Sequence, residues 1–228
     1  MLKSTKAGPV ALSLGMNATR LPPRPWAVGL VVLVLASVIL SGIAPLEMGT
    51  WALETTPVFI GLPLAMIMYR RFPMTPLLCS LLAFHAVLLC IGGHYTYAKV
   101  PIGDWVADYF HHSRNHYDRF CHVVQGFVPA ILTREILMRR SPLRKSKWLG
   151  FLTVSVCLAF SAFYELLEWW TAVLFGEGAS AFLGTQGDEW DTHWDMFLCL
   201  AGAIAAIFLL GTWHRKQVDR IDPIRAPQ

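Results

Sequence analysis

Six stretches of roughly twenty mostly apolar residues recur along the chain, each long enough to cross the hydrocarbon core of a bilayer as a helix. They run 26–44, 51–69, 76–95, 117–138, 148–171 and 192–213. Inside lipid every backbone polar group needs an internal partner, so a segment of this kind folds as a helix. The pattern predicts an all-α polytopic membrane bundle with six transmembrane helices and both termini cytoplasmic. A basic tail over 1–24 precedes a transmembrane domain over 25–213, and a second tail covers 214–228. Charged residues make up 15% of the chain, against about 25% in soluble domains. Trp26, Trp51, Trp148, Trp169, Trp170, Trp194 and Trp213 fall near the expected helix ends, as an interfacial aromatic belt requires. The fourth stretch is the most polar, with Asp118, Arg119, His122, Gln125 and Arg134. The first reads as a retained anchor, because Pro45 follows its best small-residue cleavage site, Gly42-Ile43-Ala44.

Charge sets the orientation. With the N-terminus inside, all but Lys99, Arg114 and Arg119 of the 19 Lys and Arg residues are cytoplasmic. So strong a bias requires an even number of crossings. Of the 15 acidic residues, only Glu135, Asp219 and Asp222 fall on that side. Acids hardly influence topology, so their outward concentration needs a separate cause, and a site facing the outer compartment supplies one. The net charge of +4 is spread over loops flanking apolar spans. No basic face carries stacking aromatics, and nucleic acid is not an expected partner.

The outward acids recur at helical spacing. Asp118, His122 and Gln125 stand at i, i+4 and i+7, Glu165 and Glu168 at i, i+3, and Asp188, Asp191 and Asp195 at i, i+3 and i+7. Each stripe is polar on an otherwise apolar helix, so the three are expected to face one another rather than lipid. Carboxylates so crowded raise each other's pKa or take a cation: Arg114, Arg119, a protonated histidine or a metal ion. Mixed oxygen and imidazole donors suit zinc, manganese or iron better than copper(I). The Glu-x-x-Glu pair resembles half a di-metal site, but no Glu-x-x-His accompanies it.

Blander readings apply to single residues. One carboxylate serves a structural hydrogen bond as readily as catalysis. His85 reads as a core histidine, His111 and His112 as solvated loop residues, and His214 as an inner-surface residue. Trp169 and Trp170 read as interfacial anchors, and Glu177 and Glu189 as solvated loop charges. Pro129 is expected to kink the fourth span. Cys79, Cys90, Cys121, Cys157 and Cys199 lack metal-type spacing and read as packing residues, with any pairing of Cys90 and Cys121 left open. The glycine-rich loop 176–184 has no Walker spacing and no preceding strand, which excludes a phosphate-binding loop.

Several motifs carry a family resemblance. They are Gly93-His94-Tyr95-Thr96-Tyr97, Arg114-Asn115-His116-Tyr117-Asp118-Arg119, Gln125-Gly126-Phe127, Ser161-Ala162-Phe163-Tyr164-Glu165 with Glu168-Trp169-Trp170, and Gly184-Thr185-Gln186-Gly187-Asp188 with Trp190-Asp191 and Trp194-Asp195-Met196. Over most of 26–213 the chain resembles the YjdF-type bacterial inner-membrane family, a group defined without a reaction. The resemblance implies a multi-pass protein of the bacterial inner (cytoplasmic) membrane. A more distant likeness is to VanZ-like proteins, which are associated with resistance to a glycopeptide antibiotic. Asp118-Arg119-Phe120-Cys121-His122, Glu165, Glu168, and Asp195 followed by Gly202 are the corresponding positions. That likeness implies a shared fold rather than a shared activity.

Three functions compete. An outward site that binds or acts on a lipid or lipid-linked headgroup would use His116, Asp118, His122, Glu165, Glu168, Asp191 and Asp195 for chemistry. His122 or His116 would be acid and base. His94, Tyr95, Tyr97, Arg119, Gln125, Gln186 and Asp188 would contact the ligand. A divalent cation is the candidate cofactor, with His122, Glu165, Glu168, Asp191 and Asp195 as candidate ligands. Membrane lipid is the expected partner, and the oligomeric state is open. A proton- or cation-coupled small transporter is the second function, although neither paired broken helices nor an inverted repeat is visible. A structural bundle without catalysis is the third.

Overall fold

The computed structural model describes residues 25–175 and 185–222. The expected tail over 1–24, the end of the second tail from 223, and the loop 176–184 with Glu177 and Gly184 lie outside the described residues. Among the described residues the helices are α1 (Pro25–Ser41), α2 (Met48–Met68), α3 (Pro76–Tyr95), α4 (Pro101–Phe110), α5 (Tyr117–Arg140), α6 (Trp148–Phe175) and α7 (Asp191–Ile221), with a 3-10 turn at Pro142–Lys145. No strand occurs among them. Five helices are long and apolar enough to cross a membrane. The remaining expected span, the first, is α1 with 17 residues, the lower end of the roughly 17–25 that suffice.

Two boundaries differ from expectation. The segment after the third span is not a plain loop but holds α4, which Pro101 starts at its first turn and His111 ends in a left-handed C-cap. The last helix runs past Trp213 to Ile221, so the expected tail is helical there. His214, expected at the inner surface, is fully buried.

Local chemistry accounts for the helix ends. Thr75 caps α3 by accepting from Leu78 N at 3.3 Å, with Pro76 next in line. Asp118 lies in the first turn of α5 and Arg139 and Arg140 in its last, which suits both ends of the helix dipole. Pro129 sits inside α5, and Pro57 and Pro63 inside α2.

The bundle is organised around α5 and α7. A Cβ on Gly126 would lie 1.8 Å from Cys199 O, and one on Gly202 2.0 Å from Val123 O. The two backbones therefore touch, as small residues permit between membrane helices. Leu78, Ala130, Ile131, Cys157, Cys199, Ala203 and Ala206 fill the core beside that seam. Large apolar side chains such as Ile67, Leu174, Phe208 and Leu209 point outward, where lipid is the solvent that accepts them. All five cysteines are free, and Cys90 and Cys121 are buried thiols.

Candidate functional site

Four elements bring together the acids expected to face outward. The first turns of α5 carry Asp118, Arg119 and His122, and the first turns of α7 carry Asp191 and Asp195. Glu165 and Glu168 come from α6. Asp188 belongs to the turn before α7 rather than to the helix, and its Oδ1 accepts from Trp190 N at 2.9 Å. The expected stripe of three acids is thus a helical pair plus a turn residue.

Arginines roof the cluster. Arg114 lies against Asp191 in an ion pair, with Asp188 Oδ2 at 3.5 Å and Asp118 Oδ2 at 3.7 Å. Its Nη1 also donates to Thr185 O at 3.0 Å. Arg119 Nη2 meets Asp188 Oδ2 at 2.5 Å, and its guanidinium stands 5.3 Å over the Trp194 ring.

Beneath this roof, His122 Nε2 is 3.5 Å from Asp118 Oδ1 and 3.7 Å from Asp195 Oδ1. Both distances exceed the ~3.0 Å of a good hydrogen bond. Asp118, His122 and Asp195 each offer one donor atom within 4.8 Å of the others. A coordination sphere of about 2.1 Å radius spans at most ~4.2 Å, so the set closes on an ion with sub-ångström adjustment. His122 Nδ1, Asp195 Oδ1 and Glu165 Oε1 are buried without a hydrogen-bond partner. Glu168 is half-buried on the next turn of α6.

The other expected contacts spread over the outer end. Gln125 is half-buried on α5 below His122. His94 Nδ1 sits 2.8 Å from Ser41 O and packs edge-on against Tyr95, between α1 and α3. Tyr97 lies against Gly92, where a Cβ would meet its ring at 2.4 Å. Burial, then nearby Glu54, holds the Tyr97 phenol well above its usual pKa. Gln186 brackets Asn115, accepting from its N at 3.1 Å and donating to its O at 3.0 Å. His116 packs edge-on against His112 at 5.0 Å. Partial burial, then Arg119, His112 and Arg114, lower its pKa.

Glu54 went unread in the sequence. It is buried on α2, accepts from Tyr164 Oη at 3.1 Å, and lies within electrostatic reach of Asp118 and His122. Gly93 makes room for it, since a Cβ there would stand 3.3 Å from Glu54 Cβ. The available signal was a carboxylate in the outer part of a span that holds no other charged residue.

A second buried polar group closes the inner end. Glu135 Oε1 accepts from Thr75 N at 3.1 Å and Arg139 Nη1 at 2.9 Å. Its Oε2 accepts from Thr75 Oγ1 at 2.7 Å and His214 Nε2 at 3.0 Å. Arg134 Nη1 donates to His214 Nδ1 at 2.7 Å. These groups and Gln217, which accepts from Leu77 N at 3.0 Å, satisfy the first amides of α3.

The family model described as "Predicted membrane protein (DUF2238)" matches residues 26–216. The inner membrane protein YjdF of Escherichia coli (strain K12) is 48% identical over 182 residues, covering 80% of this chain and 87% of that protein. No solved structure matches significantly.

Proposed function

We propose that this chain, which belongs to the DUF2238 family of membrane proteins, binds a divalent cation at its outward-facing Asp/Glu/His site and through it holds the anionic headgroup of a lipid or lipid-linked molecule. One observation carries the reading. Asp118, His122 and Asp195 offer donor atoms within 4.8 Å of one another, and the deepest atoms around them lack partners. His122 is 6% exposed, Asp195 3% and Glu165 7%, yet each keeps an unpartnered buried atom. Buried polar atoms are almost always satisfied, which supports a bound ligand among these groups.

A carboxylate cluster by itself repels phosphate, whereas a bound divalent cation reverses the local charge. Arg119, half-buried beside Trp194 at the rim, adds a second positive group. His122 would act as a ligand or as acid and base, and Glu165, Glu168, Asp191 and Asp195 as ligands or proton acceptors. His116 is the alternative base.

Metal analysis of the purified full-length protein tests this. Near-stoichiometric zinc, manganese or iron is expected, falling sharply in Asp195→Asn and His122→Gln. A metal-free parent protein that also fails to bind added zinc or manganese would sink the cation. Vesicles with and without anionic lipid then test the headgroup.

A cation-coupled transporter is the second reading, favoured by ionisable groups at both ends of α5 and α7. The backbone contacts at Gly126 and Gly202 lie between those ends and leave no room along that seam, which favours a binding site over a conduit.

A further inference from the structure

Helix α4 has three distinct flanks. Gly103 and Ala107 are buried against the bundle, Asp104 and Asp108 are exposed on one side, and Ile102, Trp105, Val106, Tyr109 and Phe110 are exposed on the other. Trp105 is 70% and Tyr109 78% exposed. At 100° per residue the apolar and acidic flanks point nearly opposite ways, with the docked face between them. We propose that α4 lies in the headgroup region of the outer leaflet, its aromatic flank seated in lipid and its acidic flank in water.

Chain connectivity says what covers the flank. Five residues separate α4 from the end of α3, and six separate it from the start of α5. Such linkers reach about 17 and 21 Å at full extension, so the helix cannot leave the membrane surface. It is also tied down. Asn115 Nδ2 donates to Val100 O at 3.0 Å and to Asp104 Oδ1 at 2.7 Å, and Asn115 Oδ1 accepts from Tyr117 N at 3.0 Å. Gly103 exists for that contact, because a Cβ there would meet Asn115 Oδ1 at 1.9 Å. Val100 and Tyr97, just ahead of the helix, are buried in the same core cluster as Tyr117. The aromatic flank is thus held at the depth where the spans begin, the level at which Trp and Tyr partition. Asn115 adjoins Arg114, so the residue that ties down α4 is next in sequence to the arginine roof.

Spin labels test the seating. Trp105→Cys, Tyr109→Cys and Asp108→Cys are made in the full-length protein carrying Cys79→Ser. They are labelled and reconstituted in phosphatidylethanolamine/phosphatidylglycerol vesicles. The ratio of collision with oxygen to collision with a water-soluble nickel chelate is expected to be severalfold higher at 105 and 109 than at 108. Chelate-dominated collisions at 105 and 109 would put the flank in water and overturn the proposal. Protection from both reagents would mean that protein covers it, which also overturns it. Should a labelled variant fail to fold, impermeant maleimide labelling of the same cysteines in intact membranes gives the answer. There, 108 is expected to react and 105 and 109 to resist, and equal reaction at all three would refute the seating. Neither outcome depends on the cation.

Discussion

Helices α5 and α7 carry a buried histidine and buried acid at each end, and the two ends are built in opposite ways. At the inner end, Glu135 and His214 have every polar side-chain atom in a bond of 2.7–3.1 Å. Arg139 pairs with the acid there and Arg134 with the histidine. At the outer end, His122 stands 3.5 and 3.7 Å from its acids, and atoms of His122, Asp195 and Glu165 have no partner. Three acids there, Asp118, Asp188 and Asp191, share Arg114 and Arg119, while Asp195, Glu165 and Glu54 pair with neither. Burial of charge is common to both ends, so burial does not mark the site. The bonding of the acid and histidine does: within the inner network only Arg139 Nε lacks a hydrogen-bond partner, whereas at the other end atoms of the acids and the histidine themselves lack one.

Substitutions separate the two ends, and the inner end should give the largest effect. Glu135→Ala strands His214 and Arg139 in the core, so thermal unfolding in detergent should show a loss of ~3–5 kcal/mol. Gly202→Val drives a side chain into Val123 O, 2.0 Å from the Cβ position. It should cost about 1–3 kcal/mol or more. Gly150→Ala, with nothing within 4 Å, is the matched control and should stabilise by up to ~1 kcal/mol. Tyr164→Phe removes the hydroxyl that serves Glu54, and a loss of ~0.5–1.5 kcal/mol is expected. With parent and variant both stripped of metal by chelator, Asp195→Asn should change stability least, within ~0.5 kcal/mol, because it relieves like-charge crowding while keeping shape. It should nevertheless abolish cation binding. If Asp195→Asn destabilises as strongly as Glu135→Ala, the outer end is structural too and the contrast fails.

Much of the site was legible because helical period reports faces. Asp118 and His122 were paired by their i, i+4 spacing, Asp191 and Asp195 likewise, and the opposed distributions of acids and bases marked their end of the bundle. The family motifs around Arg114 and Asp191 pointed to the family that the comparisons bear out. Glu54 was missed because one acid in an apolar span has no periodic partner. Helix α4 is not legible as a span because ten residues with three flanks do not resemble one. The inner network was hidden by topology, since Glu135 and His214 look like surface residues flanking basic clusters.

Hydrophobic length, charge asymmetry and i, i+4 spacing are properties of the chain itself, so the sequence alone determined a multi-pass helical membrane protein with its acids on one side. Only tertiary structure decided that Asp195 faces His122, that Glu54 joins them, and that Glu135 is finished while Glu165 is not. Periodicity says which face of a helix is polar. Packing, through the backbone contacts at Gly126 and Gly202, says which other helix that face meets.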